Sequence, residues 1–152
     1  MKLKTAIKLL TLPCLNSTIK VKAQFHRLGF KFLYSGSYKL VYRHPDIPDV
    51  VFKLWKDVNH KDVRDYKKLL RKLPVNIRPL VLLPIFECKF FFVQERMNSV
   101  GGSNTKAEKC LEKLWGENGV ASYPDWFDIN KRNVRFHNGQ IRIIDSCEGL
   151  CW

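Results

Sequence analysis

Between residues 30 and 55 the apolar positions fall in short runs separated by turn-forming residues. Phe30–Tyr34 and Leu40–Tyr42 flank Ser35-Gly36-Ser37, and Val50-Val51-Phe52-Lys53-Leu54-Trp55 follows the breaker-rich His44-Pro45-Asp46-Ile47-Pro48-Asp49. Runs of this length, bounded by Gly, Ser, Pro and Asp, predict strands, and their short connections predict an antiparallel meander. The period then changes. Val63, Tyr66, Leu70 and Leu73 recur at helical spacing, which predicts a helix that Asn59 can cap and Pro74 ends. Leu80–Phe86 and Phe90–Gln94, separated by Glu87-Cys88-Lys89, read as two further strands. Gly101–Asn104 breaks the pattern. Thr105-Lys106-Ala107-Glu108 then fits a capping box opening a helix whose stripe is Ala107, Cys110, Leu111, Leu114 and Trp115, with Gly116 or Gly119 as its stop.

The sharpest local signal comes last. Val134–His137 and Gln140–Ile144 flank Asn138-Gly139, a dipeptide suited to a two-residue hairpin turn with both φ angles positive. A two-residue loop pairs His137 with Gln140, Phe136 with Ile141, Val134 with Ile143 and Asn133 with Ile144. That register brings Asn133 and Asp145 to the open end, where a carboxylate beside an amide oxygen suits magnesium. Asp128, five residues before Asn133, can reach the same end through a tight loop. On the residues alone the alternative stays open that Asp145 and Asn133 simply cap strand ends.

Ahead of the meander, Met1–Leu15 reads as an amphipathic helix within an N-terminal extension of residues 1–29. Lys8 interrupts its apolar run and no small-residue cleavage site follows, so a signal peptide is not expected. No stretch approaches the length needed to span a bilayer. With 45% hydrophobic residues, ten of them Phe, a chain of 152 residues has material for one folded domain, residues 1–152. Its formal charge of +13 is unevenly placed: residues 1–78 hold 18 basic and 5 acidic side chains, and residues 79–152 hold nine of each. A polyanionic partner is therefore expected: a nucleotide, a nucleic acid, an acidic protein or a membrane surface. The five cysteines are odd in number, irregularly spaced and without a C-x-x-C pair, which argues against a disulfide framework or zinc ribbon and fits free thiols in a reducing cytosol. Cys147, Cys151 and His137 do not meet the spacing of a metal site.

The spacing Asp128-Ile129-Asn130-Lys131-Arg132-Asn133, then a hairpin, then Asp145 resembles the catalytic loop and metal-binding Asp of the protein-kinase superfamily, where H-R-D-L-x-x-x-N precedes D-F-G. Here Trp126 and Phe127 replace the His and Arg, and Asp145-Ser146-Cys147 replaces D-F-G. The resemblance implies that Asp128 orients the acceptor hydroxyl and takes its proton, while Asn133 and Asp145 hold Mg2+ against the phosphates of ATP. Leu33–Tyr42 lines up with the glycine-rich loop. Only the middle glycine, Gly36, is kept; Tyr34 and Lys39 stand at the outer positions, and Ser35 and Ser37 could donate hydroxyls. Val50-Val51-Phe52-Lys53 is similar to the V-A-I-K strand, in which the lysine holds the α- and β-phosphates. An ammonium among apolar neighbours is costly unless it meets an anion; the alternative is a lysine snorkelling from a sheet edge. Asp65, with Leu69 four positions on, matches the helical acid that pairs with that lysine, and Asp62 is its alternative. Phe92-Val93-Gln94-Glu95-Arg96-Met97 resembles the last small-lobe strand and hinge, with Gln94 as gatekeeper, Glu95 and the Met97 backbone at the adenine, and Val41 and Val51 over the purine.

The resemblance runs collinearly from about residue 30 to residue 149. It implies an α+β, protein-kinase-like fold: an antiparallel small-lobe sheet with one helix at 30–97, and a reduced catalytic lobe at 98–152 made of one helix, the catalytic loop and a β-hairpin. Between hinge and Asp128 there is room for one helix where the family has two, and no activation segment, A-P-E or lower helical lobe follows Asp145. The implied function is a Mg-ATP-dependent phosphotransferase acting on a protein Ser/Thr hydroxyl. The alternatives are a catalytically silent kinase-like module that binds nucleotide or an acidic partner protein, and a basic nucleic-acid-binding domain. Lys and Arg interleaved with aromatics support the last, which has no recognisable motif.

Overall fold

The meander expected between residues 30 and 55 forms. Strands β1 (Lys31–Ser35), β2 (Lys39–His44) and β3 (Ile47–Trp55) run antiparallel in succession. β3 begins three residues ahead of the expected Val50, because Pro45-Asp46 alone turns the chain and His44 pairs with Ile47. Strands β4 (Phe86–Glu87) and β5 (Phe91–Glu95) complete a five-stranded antiparallel sheet in the order β1-β2-β3-β5-β4, which puts β3 in its middle. The computed structural model describes residues 1–36, 38–59, 71–97, 104–118 and 133–144, and its class is α+β. Two units divide the chain: residues 1–60 with 83–96, and residues 61–82 with 97–152. Among the described residues no helix is long and apolar enough to cross a membrane.

One expected strand is corrected. Leu80–Phe86 is not a continuous strand: Arg78–Leu80 is a 3-10 turn, Val81 makes a single parallel bridge to Ile143, and only Phe86 enters β4. Pro79 and Pro84 supply no amide donor, so this apolar run cannot hold a ladder on both sides. The helix expected from Asn59 to Leu73 lies outside the described residues between 60 and 70. Arg71 and Lys72 are helical and Leu73-Pro74 are not.

The first unit owes its core to two helices within residues 1–29, the segment expected to be an extension. α1 (Leu3–Leu10) ends five residues earlier than expected, and α2 (Thr18–Arg27) is a helix that the pattern of apolar positions did not predict. Ser17 caps α2, its Oγ accepting from the Lys20 N–H at 3.3 Å. Gly29, with φ +79°, closes the other end: its N–H donates to the His26 carbonyl, and the Phe30 N–H donates to the Phe25 carbonyl, both at 3.0 Å. The Phe25 and Phe30 rings meet edge to face across this cap, 4.8 Å apart. A β-carbon at Gly29 would come no closer than 3.8 Å to a neighbour, so space is not limiting and the backbone is. Gly29→Ala is therefore expected to cost about 1 kcal/mol through the left-handed conformation, read as a lower urea midpoint with unchanged slope.

α1 and α2 bury Ala6, Leu10, Val21 and Phe25 against one face of the sheet, made of Tyr42, Phe52, Leu54, Phe91 and Val93. His44 ties α2 to the sheet. Its Nδ1 accepts from the Asp46 N–H at 3.1 Å, which leaves Nε2 to donate to the Leu28 carbonyl at 3.0 Å.

In the second unit, α3 (Asn104–Gly116) opens one residue before Thr105 and stops at Gly116. Ala107, Leu111 and Trp115 are buried and Leu114 and Cys110 partly so, the stripe its spacing predicts. This stripe packs with Leu73, Ile77 and Val81 against Val134 and Ile143 of a hairpin formed by β6 (Val134–His137) and β7 (Gln140–Ile143). The hairpin has the predicted register throughout. Val134 pairs with Ile143, Phe136 with Ile141 and His137 with Gln140, while the Ile144 N–H donates to the Asn133 carbonyl at 2.8 Å. Asn138 and Gly139 have φ +50° and +75°, as the two-residue turn requires. Asn118 ends α3 by donating from Nδ2 to the Leu114 carbonyl at 3.0 Å.

Candidate functional site

Successive side chains of a strand point to opposite faces, so cross-strand partners divide the central sheet into two sets. One set is the core face already described. On the other, Val41 lies opposite Lys53 and Lys39 opposite Trp55, while Lys53 lies opposite Phe92 and Val51 opposite Gln94. An irregularity in β1 between Phe32 and Tyr34 adds to this set: Phe32 pairs with Tyr42 of the core face, yet Tyr34 pairs with Val41.

Four residues expected at the nucleotide, Val41, Val51, Lys53 and Gln94, are thus neighbours on one face of three adjacent strands. Lys53 is 3% exposed and Gln94 1%. Lys53 sits in the middle of the sheet, so it is not a lysine snorkelling from an edge. Its Nζ lies 5.7 Å from the centre of the Phe92 ring. Lys39, 5% exposed, brings a second ammonium to the same ring at 5.8 Å, and to Trp55 at 5.9 Å. Cation–π attraction of this kind offsets part of the cost of burial. Two buried ammonium groups thus share one aromatic platform on this face.

The resemblance puts Lys39 in the loop at an outer glycine position, whereas in the structure it opens β2. The signal was available, since Lys39 and Val41 are two residues apart in one strand and must share a face.

Other expected residues fall elsewhere. Gly36 closes the β1–β2 connection through its N–H, which donates to the Lys39 carbonyl at 2.8 Å, and its nearest would-be Cβ contact is an ordinary 3.7 Å. Ser35 pairs with Leu40 and so takes the core-side face at the sheet's edge, its Oγ donating to the Gly36 carbonyl at 3.4 Å. Glu95 pairs with Val50 and likewise points away from Lys53. Met97 is buried and belongs to the second unit, as does half-buried Asn133. Ser37, Asp62, Asp65, Asp128 and Asp145 lie outside the described residues.

Comparison with protein-family models, with curated proteins and with solved structures finds no match. The site stands on its own geometry. The displaced titrations of the first unit lie off the Lys53 face: burial pushes the Tyr42 hydroxyl and the Cys88 thiol up. The Asp46 carboxylate accepts a hydrogen bond from the Met1 ammonium and is drawn below its ordinary range by that bond and that charge. Among the described residues no three His, Cys, Asp or Glu side chains gather into a metal-binding group.

Proposed function

We propose that the chain is a compact Mg-ATP-dependent phosphotransferase of protein-kinase-like type, with a protein Ser or Thr hydroxyl as acceptor. The observation that carries this reading is Lys53, buried on the central strand of an antiparallel sheet with Lys39, Val41, Val51 and Gln94 on the same face. A buried ammonium flanked by short apolar side chains and an aromatic ring suits the phosphates and base of a nucleotide. The adjacency of β2, β3 and β5 in the sheet supports the reading.

In this reading Lys53 and Lys39 neutralise phosphate charge that develops during transfer, where a dry surrounding makes fixed cations most effective. Val41 and Val51 exclude water from the purine. Asp128 orients the acceptor hydroxyl and takes its proton, and Asp65 holds the Lys53 ammonium in position. Asn133 and Asp145 would hold magnesium, which supplies further neutralisation at the β- and γ-phosphates.

Incubation with labelled ATP and magnesium tests the reading, using the parent chain, Asp128→Ala and Asp145→Asn. Label transfer by the parent that is lost in both variants supports a phosphotransferase. ATP binding without transfer in the parent overturns it and assigns a silent nucleotide-binding module. Salt-sensitive binding to DNA or RNA with no response to ATP overturns both and favours the nucleic-acid reading.

A further inference from the structure

The β6–β7 hairpin has a second face. Val134, Phe136, Ile141 and Ile143 turn toward α3, and alternation sends Arg135, Arg142, His137 and Gln140 to the opposite side. There Arg135 lies directly across from Arg142. Like charges in that position destabilise a hairpin unless something compensates them. Among the described residues no carboxylate pairs with either guanidinium. Arg142 is anchored by neutral acceptors, donating from Nη1 to the Pro79 carbonyl and from Nη2 to Gln140 Oε1, each at 2.9 Å. Arg135 is half-buried, and its Nε is buried with no hydrogen-bond partner among the described residues. A buried guanidinium N–H in that state is costly, and an anion held by the remaining donors of the two guanidinium groups would neutralise the facing pair.

We propose that this face binds a phosphate group, gripped between Arg135 and Arg142. The planar fork of a guanidinium matches two oxygens of a phosphate at once, and Arg142 is already held in place for that contact. The group can come from a nucleotide or from free inorganic phosphate. By alternation Asn133 occupies the same face two residues before Arg135, about 7 Å along the strand. If the phosphotransferase reading holds, a nucleotide is the source of that group, a choice that rests on that reading. The binding of phosphate does not.

The test titrates the full chain, without magnesium and at constant ionic strength, with inorganic pyrophosphate and separately with ATP. Heat of binding and melting temperature are followed for the parent, Arg135→Gln and Lys53→Met. The parent is expected to gain melting temperature saturably, and Arg135→Gln to bind roughly tenfold more weakly or worse. Without added anion, Arg135→Gln is expected to melt no lower than the parent, because the like-charge pair is gone. Any of three results overturns the proposal: no response in the parent; an unchanged response in Arg135→Gln together with a lost one in Lys53→Met; or a melting temperature of Arg135→Gln lowered equally with and without pyrophosphate. ATP bound far more tightly than pyrophosphate, with both weakened in Arg135→Gln, supports the nucleotide as source; equal affinities support free phosphate. A chain that transfers no label from ATP but keeps the Arg135-dependent pyrophosphate response loses the phosphotransferase reading and keeps this one.

Discussion

Lys53→Met is expected to bind ATP at least roughly a hundredfold more weakly than the parent chain while still folding cooperatively. Methionine keeps the unbranched stem of the lysine, and with it contact to Val41 and Phe92, and removes the charge. The charge is what the phosphates would meet. Removing one partner of a desolvated, hydrogen-bonded charge pair costs about 2–5 kcal/mol, because the other charge is left buried and unpaired. Equilibrium binding of a fluorescent ATP analogue to both chains, with far-ultraviolet circular dichroism as the fold control, checks it. An affinity within threefold of the parent would mean that Lys53 is a structural lysine and would remove the observation on which the phosphotransferase reading stands. Lys39→Met, on the same face and against the same ring, is the informative companion. A loss of similar size there would make the site a two-lysine clamp, whereas no loss would confine it to Lys53.

The largest effect on stability is expected from Phe25→Ala, at roughly 3–5 kcal/mol. Phe25 has no exposed surface, and its ring centre lies 4.8 Å from those of Phe30 and Tyr42, 5.7 Å from Phe91 and 5.9 Å from Phe52. It therefore joins the cap of α2 to three strands. Truncation removes ring contacts on every side, and the surrounding aromatics are too rigid to collapse into the gap. Since domains of this size are stable by only about 5–15 kcal/mol, such a loss consumes much of the total. Ile19→Ala, on the same helix but 81% exposed, is the control and is expected to stay within about 0.5 kcal/mol. Urea unfolding of both variants checks the pair; a cost below 1 kcal/mol at Phe25 would show that α2 is not part of the cooperative core.

Part of the candidate site is legible in the residues themselves. The alternation within Val50–Trp55 and Phe92–Glu95 already separates Val51, Lys53, Phe92 and Gln94 from Phe52, Leu54 and Val93. Followed one step further, it also sends Glu95 away from Lys53, as the register shows. Lys39 is hidden because a loop assignment suspends alternation, and the loop is shorter than expected. α2 is hidden although Val21, Phe25 and Leu28 recur at intervals of four and three. Its polar face carries five of the ten residues as Lys, Gln, His or Arg, and Ile19 stands exposed among them, which dilutes the apolar stripe.

The amino-acid sequence by itself determined the features whose energies are local. The hairpin register follows from Asn138-Gly139, two residues that accept positive φ and leave every flanking pair one arrangement. The α3 stripe follows from the spacing of Ala107, Leu111, Leu114 and Trp115. Only the tertiary structure decided which face of the sheet is core and which carries the lysines. Alternation makes two faces without ranking them, and the ranking comes from α1 and α2, residues far along the chain whose apolar sides must be buried somewhere. They cover Phe52 and Leu54, and that choice leaves the buried charge of Lys53 and Lys39 together on the opposite side.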